Sequence, residues 1–292
     1  MVQSYGGVRG ASKLICRVGM GKIIRIFVTD FIDSLIFHNM DSQHISPSLI
    51  IVPSLPSTNA AMAAGASGYA HGDALMAREQ TAGRGQRGNS WEAVPDMNIT
   101  MSVMLRHDGL KACHQFVVSE AVAVAVAQIL ERYLGSGCGI CVKWPNDIYA
   151  GDRKICGILI ENVLSGAGIM RSVAGIGINV NQERFMSDAP NPVSMYNLSD
   201  RNFDIGEVAS AVVERVKELY ADYVAGGDYG SLHSLYCGML WRSQGYHGYV
   251  EAASGARFEA RISGVALTGH ISLELPDGTV RTYAFKEISA IL

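Results

Sequence analysis

Residues 139–164 read GICVKWPNDIYAGDRKICGILIENVL and show the architecture of this chain most clearly. Apolar residues lead up to Lys143 and follow Lys154, and the pair Gly151-Asp152 between them is typical of a tight turn. The pattern therefore predicts strand, turn and strand, joined as a β-hairpin. The two lysines place positive charge on these otherwise apolar strands.

Upstream of this hairpin, apolar runs alternate with capping residues and turns. The run 112–135 is long, mostly apolar and closed by Gly135, which predicts a buried helix. A shorter Ala-rich helix should be capped within residues 57–59 (STN) and end at Gly65. Strands are expected at LIIVP (49–53), which should be buried, and at DALMARE (73–79) and NITMSVML (98–105).

Downstream, MRSVAGIGINVN (170–181) predicts a further strand, and a polar linker then leads into a helix. That helix should start at Asp204, with Glu207 three residues later as in a capping box. From about residue 237 the chain consists of short strands and turns, such as Pro-Asp-Gly at 276–278. We therefore expect an α+β main domain followed by a small C-terminal β-barrel.

The composition limits the classes of protein that this chain can belong to. Its 292 residues suffice for one large and one small domain. Hydrophobic residues make up 48% and charged residues 17%, which indicates a globular protein. The net charge of −3 provides no positive field to drive nucleic-acid binding. The apolar run at 23–37 is too charged for a signal peptide, and no membrane span is expected.

Two features have more than one interpretation. Cys138 and Cys141 form the one C-x-x-C pair among six cysteines, so a zinc or redox site competes with reduced structural thiols. Residues 1–45 fit the rest of the chain poorly, and Met20 and Met40 are alternative start sites. We expect this segment to be either a disordered extension or a gene-model artefact.

The window GRGQRG (83–88) has the spacing Gly-x-Gly-x-x-Gly of a dinucleotide-binding turn. Such a turn needs a strand before it and a helix after it, whereas polar residues precede this one and Pro95 soon follows. An ordinary surface loop is the plainer alternative. Glycines let the backbone close over a ligand, and Arg84 and Arg87 supply forked donors for anions, so we interpret residues 83–91 as a lid.

Four segments together closely resemble the biotin protein ligase family, the biotin–[acetyl-CoA-carboxylase] ligases. They are STN (57–59), EQTAGRGQRGNSW (79–91), KWPNDIYAGDRKICGILIE (143–161) and GIGINVN (175–181). The resemblance extends over residues 49–292. It implies a class II synthetase-like fold, in which a mixed β-sheet is backed by helices and followed by an SH3-like β-barrel. The implied parts are an N-terminal extension (1–45), a catalytic domain (46–235) and the barrel (236–292).

The resemblance implies an ATP-dependent ligase that uses Mg²⁺. Such an enzyme joins biotin and ATP to give biotinyl-5′-AMP and pyrophosphate, and then passes biotin to a lysine of a biotin carboxyl carrier protein. Because both substrates are anions, positioned cations must offset their repulsion. The lysine of the K-x-x-G-I-L motif is Lys154, the first candidate for catalysis. Lys143, Arg84 and Asp147 are the other implied catalytic residues.

The resemblance also assigns the binding residues, since biotin needs a dry pocket with a few polar partners. Gly157 should let the ligand approach the backbone, whereas Trp144 is expected in the core. The implied biotin-binding residues are Ser57, Thr58, Asn59, Gln80, Arg84, Gly85, Gln86, Lys154 and Gly157. The implied nucleotide-binding residues are Arg84, Arg87, Trp91, Lys143, Asn146 and Asn179, and no metal ligand is assigned.

This sequence departs from the family pattern in its lid. Gln86 and Asn89 stand where the fullest pattern has arginines, so the lid is less cationic, and how tightly it holds the adenylate stays open. The residues before Ser57 show no pair of amphipathic helices typical of a helix-turn-helix. We therefore expect a monofunctional, cytoplasmic ligase, a monomer or homodimer that binds neither DNA nor membranes.

Two other functions remain as alternatives. A lipoate-type protein ligase would carry an R-R-x-S-G-G-G-type loop, which the lid does not show. A non-catalytic nucleic-acid-binding module would be more basic and would interleave aromatic with basic residues.

Overall fold

The chain divides into two compact units, Met1–Ser46 and Pro47–Leu292. A computed structural model describes residues 13–18, 22–27, 49–85, 90–186 and 191–292. In the first unit, strands β1 (Lys13–Val18) and β2 (Lys22–Phe27) pair antiparallel. The sequence patterns did not predict this hairpin. The domain boundaries expected after residues 45 and 235 stay predictions.

A mixed seven-stranded sheet forms the centre of the second unit, as the resemblance implies. Its strands are β3 (Leu49–Leu55), β4 (Ala74–Gln80), β5 (Asn98–Arg106), β6 (Ile140–Lys143), β7 (Asp147–Ala150), β8 (Arg153–Ser165) and β9 (Gly168–Asn179). The strand order is β3-β4-β5-β9-β8-β7-β6. Strands β3 and β4 are parallel, and the other neighbours are antiparallel.

Helices cover this sheet, and their ends follow the capping signals of the sequence. Five α-helices lie in the described residues: α1 (Thr58–Ala64), α2 (Phe116–Leu134), α3 (Met195–Ser199), α4 (Ile205–Leu219) and α5 (Tyr229–Gly238). The side chain of Ser57 caps α1 by accepting from Ala60 N, and Asp204 caps α4 by accepting from Glu207 N. The short helix α3 and the helix α5 were not predicted.

Helix α2 is the central core helix and packs against α4, α5 and β6. With the short 3₁₀ turn before it, Ala112–Leu134 is long and apolar enough to cross a membrane. Within the protein, however, 72% of the most apolar 18-residue stretch of this segment is buried. Its apolar surface is therefore covered by the rest of the fold, as predicted for a buried helix.

The first predicted strand lies at the edge of the sheet and is not buried. Strand β3 pairs with β4 on one side, and Ile51 remains 41% exposed. An apolar run of five residues does not distinguish an edge strand from a central one, since position in the sheet depends on distant pairing.

Residues 139–164 form three strands where two were predicted. The Gly151-Asp152 turn joins β7 to β8 as expected, with Gly151 at φ +58. A second turn at 144–146, which contains a cis Trp144–Pro145 peptide, separates β6 from β7. As a result, Lys143 and Asp147 face each other in the β6–β7 register.

The tail forms the five-stranded antiparallel sheet expected for a small barrel. Its strands are β10 (His247–Glu251), β11 (Arg257–Val265), β12 (Ile271–Glu274), β13 (Val280–Tyr283) and β14 (Ile288–Ala290), in the order β13-β12-β11-β10-β14. Trp144, which was expected in the core, is half-buried at the contact with this barrel. Its indole donates to Gly269 O (2.9 Å) and meets Phe285 edge-on.

The C-x-x-C pair forms neither a disulfide nor a described metal cluster. Cys138 donates to Leu134 O, whereas Cys141 lies against Tyr149 O. Burial raises the pKa of the Cys141 thiol to about 11, which opposes thiolate chemistry. In the described part of the chain, no group of three His, Cys, Asp or Glu side chains is placed to hold a metal.

A buried carboxylate connects the core helix to α5 and the barrel. Glu120 of α2 is fully buried, and its Oε1 is hydrogen-bonded to His233 Nδ1 (2.6 Å). The other ring nitrogen of His233 lies 2.8 Å from Val265 O at the end of β11. Glu120 Oε2 has no hydrogen-bond partner among the described residues. Burial raises the pKa of Glu120 to about 7, although His233 opposes this shift.

We expect the stability of the protein to fall as the pH rises from about 4.5 to about 7 because of Glu120. In that window the folded protein keeps the Glu120 proton while the unfolded chain releases it, so the free energy of unfolding decreases, by on the order of 3 kcal/mol. Urea unfolding at pH 5 and pH 8 measures this loss.

The matched protein is Glu120→Gln, which has no proton to lose. Its free energy of unfolding should change less between the two pH values than that of the wild type. Other titrating groups, such as His107, contribute equally to both proteins and cancel in the difference. Equal losses in the two proteins would show that Glu120 does not titrate in this range.

Candidate functional site

A cavity of about 790 Å³ is lined by α1, by β8 and β9 of the sheet, and by the barrel. The predicted site residues that line it are Ser57, Thr58, Asn59, Gln80, Arg84, Gly85, Trp91, Lys143, Asn146, Asp147, Lys154, Gly157 and Asn179. The predicted residues Gln86 and Arg87 lie outside the described residues. Segments that are more than 100 residues apart in the chain therefore share one cavity.

One end of the cavity is a hydrogen-bonded set of uncharged groups. The amide oxygen of Gln80 accepts from Thr58 N (2.7 Å) and from Thr58 Oγ1 (3.2 Å). Ser102 Oγ lies 2.8 Å from Thr58 Oγ1 and 2.5 Å from Asn59 Oδ1. Because Ser102 has one proton for these two acceptors, acceptor capacity remains at this end of the cavity. The amide nitrogen of Gln80 supplies a donor.

Asn59 is held in a slot that a missing side chain creates. A Cβ atom on Gly175 would lie 2.4 Å from Asn59 Oδ1, so only glycine admits this amide. Ser102 and Leu159 flank Gly175 on the neighbouring strands. Both contact Asn59, since Ser102 lies against Oδ1 and Leu159 O accepts from Nδ2 (3.2 Å). The orientation of this buried amide is therefore fixed.

A carboxylate connects this slot to the lid. Glu161 Oε2 accepts from Asn59 Nδ2 (2.9 Å) and pairs with Arg84 Nη2 (3.2 Å). The side chains of Arg84 and Glu161 are 48% and 42% exposed, so solvent screens the pair. Arg84 was predicted to supply charge for catalysis. In this structure its guanidinium is held beside Asn59, at the uncharged end of the cavity.

The ends of the lid are held together at the cavity. Trp91 N donates to Gly83 O (3.2 Å), and Arg84 and Ser90 form an isolated antiparallel bridge. The middle of the lid, residues 86–89, lies outside the described residues.

Trp91 lies over two glycines of the sheet. Gly157 and Gly177 are paired neighbours on β8 and β9, and a Cβ atom on either would lie within 2.8 Å of the indole ring. The predicted role of Gly157 was close approach of the ligand. In this structure its missing side chain makes room for Trp91. The indole Nε1 is buried and has no hydrogen-bond partner among the described residues.

Lys154 and Asp147 form an ion pair in the cavity. Lys154 Nζ lies 2.7 Å from Asp147 Oδ2, and both side chains are about 30% exposed. The ammonium also lies 5.9 Å from the centre of the Trp91 ring. A cation is therefore present where sequence motifs predicted one, held in place by a carboxylate.

Lys143 lies in an aromatic environment close to this pair. Its Nζ donates to Tyr149 OH (2.9 Å) and lies about 5 Å from the ring centres of Tyr149 and Trp241. Burial lowers the pKa of the Lys143 ammonium, and Asp147 opposes this shift. Lys143 and Lys154 thus present two cations on one side of Asp147.

Asn179 and Asn146 complete the wall. Asn179 Nδ2 donates to Val193 O (3.0 Å), while its Oδ1 is buried and has no partner among the described residues. Asn146 Nδ2 lies 3.3 Å from Ile158 O and is buried behind the Trp144–Pro145 turn. Asn179 therefore offers an open acceptor for a ligand that carries a donor.

Comparisons with known proteins relate part of this chain to one family. A family model, the Biotin/lipoate A/B protein ligase family, matches residues 51–180. The matched segment includes α1, the lid and the sheet from β4 to β9.

Two curated relatives of this segment are biotin ligases by name. The biotin--[acetyl-CoA-carboxylase] ligase of Paracoccus denitrificans is 36% identical over 124 residues, which is 42% of this chain and 51% of that protein. The enzyme of the same name from Mycobacterium tuberculosis is 31% identical over 172 residues, 58% of this chain and 62% of that protein. The chain spans about half the length of the curated relatives that it matches.

A solved structure shares the fold beyond residues 51–180. The biotin protein ligase from Aquifex aeolicus in complex with biotin and ATP has a TM-score of 0.69 and 21% sequence identity. The match covers 84% of this chain and 99% of that chain, so it includes the barrel as well as the sheet.

Several residues in and next to the cavity were not predicted from the sequence. Ser102 and Glu161 complete the hydrogen bonds around Asn59, and Tyr149 and Trp241 enclose Lys143. Glu161 ends the K-x-x-G-I-L-I-E run, and Ser102 is a polar residue in a buried strand. Either feature could have identified its residue as a candidate for the site. The catalytic and binding roles of the predicted residues stay predictions.

Proposed function

We propose that this protein is an ATP-dependent biotin protein ligase. The observation that carries the proposal is the division of one cavity into two ends. One end has hydrogen-bonding amide and hydroxyl groups, with the Arg84–Glu161 ion pair beside them, and the other holds Lys143, Asp147 and Lys154. Biotin has the same division, with a neutral ureido ring at one end and a carboxylate at the other. The named relatives of residues 51–180 support the same function.

The ureido ring of biotin fits the end at Asn59. Its carbonyl oxygen requires donors, which Gln80 Nε2 supplies, and its two N–H groups require acceptors. Ser102 leaves acceptor capacity on Thr58 or Asn59, because its single proton reaches both. The polar groups of this end therefore include both kinds of partner that a cyclic urea needs, a donor and an acceptor.

The reacting atoms belong at Lys154. There the biotin carboxylate attacks the α-phosphorus of ATP, a P–O bond forms, and pyrophosphate leaves. The Lys154 ammonium offsets the repulsion between the two anions, and Asp147 holds it in position. In the second step, the amine of an acceptor lysine attacks the biotinyl carbonyl, and AMP leaves.

The nucleotide fits beyond Trp91. Asn179 Oδ1 is an open buried acceptor, which suits the exocyclic amine of adenine, and the indole of Trp91 offers a stacking surface. Mg²⁺ would neutralise phosphate charge when bound with ATP. It prefers phosphate oxygens and one or two carboxylates, so Asp147 would be its protein ligand.

The acceptor, location and assembly belong to the same proposal. The acceptor is a lysine of a biotin carboxyl carrier protein, and the enzyme acts in the cytoplasm without binding DNA. We expect a monomer or homodimer.

Mass spectrometry tests this function directly. We expect biotinyl-AMP when the purified protein is incubated with biotin and Mg-ATP, and no adenylate when lipoate replaces biotin. A carrier domain should then gain one biotin, whereas a variant that lacks its acceptor lysine should not. Lipoyl-AMP in place of biotinyl-AMP would indicate a lipoate-type ligase. A protein that makes neither adenylate but shifts random DNA in a gel would be a nucleic-acid-binding module.

A further inference from the structure

Glu161 places a negative charge at the rim of a cavity that, under the proposed function, binds two anions. Its Oε2 lies 2.9 Å from Asn59 Nδ2 and 3.2 Å from Arg84 Nη2. One carboxylate oxygen therefore contacts both the amide at the uncharged end and the first cation of the lid. A negative charge in this position requires a function of its own, because by itself it repels both substrates.

The strand geometry explains how Glu161 reaches both groups. Gly157, Leu159 and Glu161 lie on one face of β8. Successive side chains of a strand point to opposite faces, and these three residues are each two positions apart. Gly157 lies under Trp91, and Leu159 O accepts from the Asn59 amide. Glu161 continues this row at the edge of the cavity, where the lid begins.

We infer that Glu161 is a positioning residue for the ring end of the substrate and for Arg84. It orients the Asn59 amide by accepting from Nδ2, and it holds Arg84 next to that amide when no ligand is bound. This inference rests on the proposed function. It assigns a role to Glu161, for which neither the motifs nor the geometry around Lys154 gave one.

Two substitutions separate the functions of Glu161. Glu161→Gln keeps an oxygen that accepts from Asn59 but removes the charge that holds Arg84. Glu161→Ala removes both. Glu274→Gln is the matched control, because it breaks the Arg261–Glu274 ion pair (2.7 Å) in the barrel.

The first measurement is steady-state adenylate formation with each substrate varied in turn. For Glu161→Ala we expect the KM for biotin to rise at least tenfold, as for a lost charged hydrogen bond, with the KM for ATP and kcat within about twofold. Glu161→Gln should restore the KM for biotin to within about threefold of wild type. A purely structural role would lower kcat and raise both KM values together.

The second measurement is tryptic cleavage after Arg84 in the ligand-free protein, with products assigned by mass. Loss of an exposed ion pair should speed this cleavage about twofold to fivefold in both Glu161 variants and not in Glu274→Gln. The cleavage measurement needs no enzymatic activity. It can be made on Glu161→Gln even if Glu161→Ala does not fold.

The two hypotheses fail in different ways. A wild-type protein that makes no biotinyl-AMP contradicts the proposed function. An active wild-type protein whose Glu161 variants keep a normal KM for biotin and normal cleavage after Arg84 contradicts the inference about Glu161 alone. An equal rise of both KM values in Glu161→Gln would also contradict it.

Discussion

Lys154→Ala is expected to reduce the rate of biotinyl-AMP formation by about 10²–10³, the effect of removing one donor that stabilises developing negative charge. The substitution removes the cation between two anionic substrates. It also leaves the Asp147 carboxylate unpaired in the cavity, where it adds repulsion. Pyrophosphate release with saturating biotin and ATP measures the rate.

Three further variants make this result specific. Lys111→Ala removes an exposed lysine outside the cavity and should leave the rate unchanged. Lys154→Arg keeps the charge and should retain more activity than the alanine variant. Asp147→Asn keeps the cation but loosens it, so a smaller decrease is expected. Near-normal pyrophosphate release by Lys154→Ala would contradict the placement of the reaction at this residue.

Gly175→Ala is expected to weaken biotin binding by about 5-fold to 150-fold, which corresponds to the 1–3 kcal/mol cost of overpacking a tight site. The new methyl group would lie 2.4 Å from Asn59 Oδ1, so the amide has to move away from Gly175. The Asn59 side chain must therefore leave its hydrogen bonds to Leu159 O and Ser102. Calorimetric titration with biotin measures the affinity.

Gly264→Ala is the matched control, because Gly264 also lies in a strand and its Cβ would meet nothing within 4 Å. Its biotin affinity should equal that of the wild type. Unchanged affinity in Gly175→Ala, with an unfolding midpoint close to wild type, would mean that Asn59 does not contribute to the biotin site.

Much of the fold could be predicted from local patterns. Ser57 and Asp204 are helix caps where the sequence placed them, and Gly65 and Gly135 end helices as expected. Short alternating strands predicted the C-terminal sheet. These features depend on neighbours within a few residues, which a sequence pattern contains. The exposure of β3 could not be predicted in this way, since it depends on which strands pair beside it.

The sequence by itself determined the kinds of side chain in the site and the order of most elements. The motifs contain Lys154, Asp147, Asn59 and the glycines of GIGIN. They do not show which residues these side chains contact. Only the tertiary structure decided those partners. Alternate residues of β9 face the cavity, so Gly175 makes room for Asn59 and Gly177 for Trp91.

The same holds for the contacts across the cavity. Asn59 and Glu161 are 102 residues apart, and they meet because α1 packs against β5 and β9, and β9 is the neighbour of the strand that carries Glu161. Strand register fixes such pairs, and it is set by the packing of the whole sheet. The motifs that carry the family resemblance therefore contained residues of both ends of the site, while the contacts among those residues depended on long-range packing.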